Sequence, residues 1–209
     1  MGAGPSGRAS TATGYDGIDI SGTHGPSADP QSVTPELRTL TRATADRLGL
    51  TVEAIITHAS LANSLYTDEP LDLKGSVDLA IDTGAPLVVF HMGGPGEDGR
   101  PRDDMWRRVV DYLKAALDHA APRNIKLAVD GVWHGWLTDT PAAFLQLHDE
   151  VGSDHFGVNF DPCYLALRNY DPVNVAQQWQ HRILHAHLKD HVGTYTKWDH
   201  KIPGQGDLD

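Results

Sequence analysis

The chain carries a single cysteine, Cys163, and too few basic residues to balance its acids. One thiol excludes an internal disulfide framework and suits a reducing cytoplasm. Lys and Arg number 17 against 28 Asp and Glu, a formal charge of −11. Phosphate binding needs clustered positive charge, so this balance argues against a nucleic-acid partner. No apolar run approaches the ~20 residues of a membrane-spanning helix, and the first residues lack the apolar stretch of a secretion signal. The Gly93–Gly99 loop lacks the Gly-Lys-Ser/Thr ending of a phosphate loop and reads as a flexible crossing. Histidine is abundant instead, with twelve in 209 residues. That number invites a metal hypothesis without establishing one.

Residues 1–14 are rich in Gly, Ser, Ala and Thr without periodicity, and read as a disordered leader. From residue 15 to 209 the chain reads as one domain in which strand and helix alternate. The predicted strands are 15–20, 52–58, 86–91, 125–130, 156–161 and 183–190. The predicted helices begin at Thr34-Pro35, about Leu73, about Asp104, Thr140-Pro141 and Asp171-Pro172, the proline following a side chain that can cap the first turn. Gly84 is a helix stop. A repeat of roughly thirty residues with this alternation is the signature of βαβ units and a parallel sheet. The stretch Ile183 to Asp190 is the most informative. At a period of two, Leu184, Ala186 and Leu188 form an apolar face, and His185, His187 and Lys189 a polar one, with Asp190 at the end. In a parallel barrel the polar row aims at the axis and the C-terminal mouth.

The other strands end in the same way, on Asp19, His58, His91, Asp130 and Asp161. Any one of these has an ordinary explanation as a cap or a hydrogen-bonded structural residue. Their recurrence at one structural position is what points to a site, because six C-terminal strand ends share one rim. Carboxylates and imidazoles gathered there suit a divalent ion such as Mn, Mg, Co or Zn. His185, deeper in its strand, reads as a satisfied interior histidine. Trp133 and His134, just past Asp130, are candidate substrate contacts. Cys163 has no base beside it in sequence and reads as inert.

Five segments in order, Gly14-Tyr15-Asp16-Gly17-Ile18-Asp19, Val89-Phe90-His91-Met92-Gly93, Gly157-Val158-Asn159-Phe160-Asp161-Pro162, His185-Ala186-His187-Leu188-Lys189-Asp190 and Pro203-Gly204-Gln205-Gly206-Asp207, resemble the sugar phosphate isomerase/epimerase family. The resemblance implies a xylose isomerase-like TIM barrel, related to the type IV apurinic endonucleases. It also implies one divalent metal held by Asp130, Asp161 and His187. By likeness to the endonucleases, His58, His91 and His200 are candidates for additional metal or substrate contacts. Three departures from the family pattern stand out. Asp130 occupies a Glu position, Tyr164 occupies a His position, and only about six strands of an α/β (β/α)8 barrel can be found. The barrel is therefore expected to be incomplete, truncated at both ends.

The function this implies is a cytoplasmic, metal-dependent isomerase or epimerase of a small sugar, sugar phosphate or polyol. It would move a proton through an enediolate, with Asp130 and Lys189 as catalytic residues, Lys189 and His134 contacting sugar oxygens, and no nucleic-acid or membrane partner. Two rival readings are a zinc-dependent apurinic-endonuclease-like hydrolase and a catalytically inactive truncated barrel. The last of these predicts self-association, so a homo-oligomer is among the expected states.

Overall fold

We describe a computed structural model in residues 14–21, 30–95 and 100–208. The leader predicted over 1–14 falls almost wholly outside this range, as does Gly96–Gly99 of the glycine-rich loop. The helix boundaries follow local chemistry. The first helix, α1 (Pro35–Leu48), starts where the Thr34 hydroxyl accepts the Leu37 N–H and stops at Gly49, whose φ of 67° is left-handed. Helix α3 (Leu73–Thr83) is capped by Asp72 and stopped by Gly84 at φ 87°. Such caps satisfy backbone groups that the helix leaves unpaired, and glycine adopts the left-handed turn without a Cβ penalty.

These helices alternate with β1 (Gly17–Ser21), β2 (Thr51–Ser60), β3 (Leu87–His91), β4 (Lys126–Asp130), β5 (Phe156–Phe160) and β6 (Ile183–Ala186). The longer crossings are α4 (Arg102–Ala120), α5 (Pro141–Val151) and α7 (Pro172–Trp179), and two short helices, α2 (Leu61–Ser64) and α6 (Pro162–Leu167), follow strands β2 and β5. The six strands form one sheet in sequence order, every neighbouring pair parallel. This is an open, incomplete barrel of the (β/α)8 type. Among the described residues, no helix is long and apolar enough to cross a membrane.

Two apolar layers separate across the sheet. Val52, Ile55, Val88, Phe90, Leu127, Val129, Phe156 and Val158 pack outwards against the helices. Ala54, Ile56, Leu87, Val89 and Ala128 pack on the inner side, with Leu184 against them. Alternation of side chains along a strand produces this division. Val89 and Ala128 precede His91 and Asp130 by two residues, so the inner layer is an apolar floor beneath the polar strand ends.

The stretch from 183 to 190 departs from expectation. It is not one strand: β6 ends at Ala186, and Asp190 opens a separate antiparallel hairpin, β7 (Asp190–Thr194) with β8 (Lys197–Lys201). The register slips between Val158 and Asn159, so Val158 pairs with Ile183 but Asn159 pairs with His185. That irregularity turns Leu184 inward instead of sharing an outer apolar face with Leu188, which is 71% exposed. The hairpin and α6 had no periodic signal long enough to announce them. Their anchors are single acids, Asp161 capping α6 and Asp190 receiving backbone N–H groups.

Candidate metal centre at the strand ends

Sheet register aligns the polar residues. His91 pairs with Asp130, Asp130 with Asn159, and Asn159 with His185, making one row across four strands. Asp161 and His187 lie two residues further along their chains. The His187 N–H, bonded 2.9 Å from the Phe160 carbonyl, continues the β5–β6 pairing.

Contacts tie the row together. His91 Nε2 is 3.2 Å from Asp130 Oδ2, and Asn159 Nδ2 donates to Asp130 Oδ1 at 2.5 Å. His187 Nδ1 is 3.9 Å from Asp130 Oδ1 and 2.8 Å from Asn159 Nδ2. His185 Nδ1 meets Asn159 Oδ1 at 2.9 Å, and its Nε2 reaches across to β1, 3.4 Å from Asp19 Oδ1. Burial works to raise the Asp130 carboxyl, but the hydrogen bond and charge of His91, with Asn159 and His187, outweigh it and hold it below its ordinary value. At His187 burial prevails over Asp130, and the imidazole sits below its ordinary value.

Asp161 is held differently. Its Oδ1 caps α6 by accepting the Tyr164 N–H, and its Oδ2 lies 2.5 Å from the Lys189 ammonium. Burial is the largest influence on both partners. It keeps Asp161 above the ordinary carboxyl value, while at Lys189 it is outweighed by the Asp161 carboxylate, which keeps the ammonium charged. Lys189 also lies over the Tyr164 ring, 4.1 Å from its centroid.

Among the described residues, one group of His, Cys, Asp or Glu side chains offers three ligand atoms all within 4.8 Å of one another: Asp19, His185 and His187. Two imidazole nitrogens and a carboxylate oxygen at that spacing fit a divalent ion of the first transition row. His187 was expected in this role. Asp19 had been seen as a strand end, and His185 as a satisfied interior residue. The alternation places His185 with His187 on the polar face, but the irregular register that pairs it with Asn159 carries no sequence signature. Asp130 and Asp161 stand outside this group, next to it.

The remaining candidates are spread around the mouth. His58 bonds Ser21 at 2.9 Å and packs edge-on to His91, ring centroids 5.1 Å apart. Trp133 packs against Tyr164, Tyr195 and Trp198, and His134 against Tyr195. His200 lies on the hairpin, its Nδ1 3.9 Å from the sulfur of Cys163, and borders Tyr164 and Trp198. Burial pushes the Cys163 thiol up to about 11, in keeping with an inert residue.

Several solved structures share the fold. A xylose isomerase domain protein from Planctomyces limnophilus superposes with a TM-score of 0.75 at 19% identity, covering 96% of this chain and 75% of that one. The IOLI protein with a binding zinc atom gives 0.78 at 18% identity, covering 97% and 74%. A D-allulose 3-epimerase from Methylomonas sp., in complex with D-allulose, gives 0.73 at 17%, covering 97% and 69%. At the sequence level, an uncharacterized Sinorhizobium fredii protein, y4fM, is 28% identical over 147 residues, 66% of this chain. The chain spans less than half of that relative, 44% of its length. Residues 8–209 match the family described as Xylose isomerase-like TIM barrel, and with six parallel strands carrying their polar residues to one rim, the chain belongs to that family.

Proposed function

We propose that the protein is a divalent-metal-dependent isomerase or epimerase acting on a small sugar, sugar phosphate or polyol. The observation that carries this reading is the Asp19–His185–His187 group within 4.8 Å, beside an ionised, buried Asp130. His187 is common to that group and to the set the family resemblance implies, Asp130, Asp161 and His187. We assign the ion to Asp19, His185 and His187, because the Lys189 ammonium already engages Asp161.

A bound divalent ion would supply Lewis acidity, favouring negative charge on a sugar oxygen. The protein's own groups do the rest. Asp130, kept ionised by His91 and Asn159, is the base that takes the proton from a carbon next to the carbonyl and returns it. Lys189 offers a fixed positive charge beside Asp161 for a substrate oxygen or phosphate. Trp133 and His134 line the approach from the loop after β4. The apolar floor of Val89 and Ala128 lowers the local dielectric and strengthens each of these interactions. The acidic balance of the chain speaks against the endonuclease-like alternative.

The test has two parts. After dialysis against Mn(II), elemental analysis should find one ion per chain, lost in Asp19→Ala, His185→Ala and His187→Ala. Deuterium exchange from solvent into a panel of aldoses and ketoses, followed by NMR, should occur with the wild type and fail in Asp130→Asn, which keeps its ion. Uptake that survives all three ligand variants but fails in Asp130→Ala and Asp161→Ala would move the ion to the other set. Absence of exchange on every sugar would favour an inactive barrel.

A further inference from the structure

The amide of Asn159, fully buried, makes three hydrogen bonds at the centre of the polar row. An amide has one acceptor oxygen and two N–H hydrogens, and its orientation is decided by its partners. Asp130, ionised, can only accept, so the amide nitrogen must face it. The amide oxygen then faces His185 Nδ1, and that nitrogen must carry a hydrogen. The second amide hydrogen points to His187 Nδ1, which must present a lone pair. On the far side of the His185 ring, Nε2 faces the Asp19 carboxylate at 3.4 Å. By itself Asp19 would draw the ring hydrogen to Nε2, on the side of the ring where a cation would bind. Asn159 competes for it from the opposite side.

We propose that Asn159 is a positioning residue that fixes the tautomers of both histidines, holding a hydrogen on His185 Nδ1 so that the Nε2 lone pair is available beside Asp19. His187, receiving the amide hydrogen at Nδ1, keeps its own on Nε2, so its one lone pair is at Nδ1 and an ion would take it in place of the amide hydrogen. The purpose of this arrangement rests on the metal reading above; the tautomers themselves do not. Partners of this kind, bonded to the second nitrogen of a ligand histidine, set its orientation and basicity, and their loss costs about 10–100-fold in metal affinity.

The experiment is long-range proton–nitrogen NMR on metal-free protein carrying 15N-labelled histidine, at mildly alkaline pH, with Mn(II) titration alongside. In the wild type, His185 Nδ1 is expected to be protonated. In Asn159→Ala it should become bare, with the hydrogen moved to Nε2 facing Asp19, and Mn(II) affinity should fall about 10–100-fold. Asn159→Asp keeps an acceptor for His185 and should keep Nδ1 protonated, which separates the tautomer effect from general loss of structure. A bare Nδ1 in the wild type, or a protonated one in Asn159→Ala, would overturn the proposal. Tautomers as expected in a protein that binds no Mn(II) would count against the metal reading and for the tautomer assignment.

Discussion

The Lys189 ammonium lies 2.5 Å from Oδ2 of Asp161, a carboxylate whose side chain is wholly withdrawn from solvent. Breaking a buried ion pair from one side leaves the other charge stranded, at a cost of about 3–5 kcal/mol. Lys189→Met should therefore destabilise the protein by about 3 kcal/mol at neutral pH, the lower end because the lysine keeps some solvent contact. The pH dependence has a definite sign. With its folded-state value raised, Asp161 binds a proton more readily in the folded than in the unfolded chain, so its contribution falls as pH rises through that window. The variant should lie closest to wild type in acid, as urea denaturation at several pH values would reveal.

Asp130 behaves in the opposite way. Its carboxyl is held below the ordinary value, so its stabilising contribution is present above the unfolded-state value near pH 4 and lost as pH falls through the folded one. His187, lowered chiefly by burial, adds a second acid-sensitive element, since below about pH 6.5 the unfolded chain takes up that proton first. His91→Ala removes the largest of the influences that lower Asp130. It should cost about 1.5–3 kcal/mol, the range for a hydrogen bond to a charged group, and shift acid unfolding to higher pH. An acid titration followed by circular dichroism that matched wild type would contradict this.

Cys163 is fully buried with its thiol raised to about 11. A thiol so placed should resist a disulfide reagent in the native protein at pH 8 and react at once in denaturant. Rapid native labelling would mean that α6 opens far more readily than its packing implies.

Asp190 receives four backbone N–H groups, from His191 at 2.7 Å, Gly204 at 3.0 Å, Gly206 at 2.8 Å and Leu208 at 3.0 Å. These bonds hold its carboxyl below the ordinary range, led by the Leu208 N–H. Asp190→Ala should release the segment after β8 while leaving the sheet intact. Faster amide exchange confined to Gly204, Gly206 and Leu208 is the expected signature. Gly206→Ala should act alike, because a Cβ there would run into the Asp190 carboxylate and the His191 carbonyl.

How much of this the sequence disclosed depends on the range of the interactions involved. The helices at Pro35, Leu73, Pro141 and Pro172 announce themselves through caps and stops within a few residues, and the alternation of elements is enough for a parallel barrel. That His91 and Asp130 reach one rim follows from topology alone. The pairing of Asn159 with His185 does not, because a register slip is a property of two strands and neither one records it. For the same reason Leu184 fell on the wrong face, and Asn159, an ordinary polar residue in a strand, drew no notice. The break after Ala186 was hidden by an alternation that continues to Lys189, past the last bond to β5 at His187.

The Asp190 stitches are made by main-chain hydrogens, while the side chains of Ile202, Pro203 and Gln205 stand in solvent. Such a loop has its shape written in its backbone and its chemistry left open. Substitutions at those three positions should be nearly silent in folding, so selection, or an engineer, could rewrite the outward chemistry of this loop without undoing the stitches that hold it.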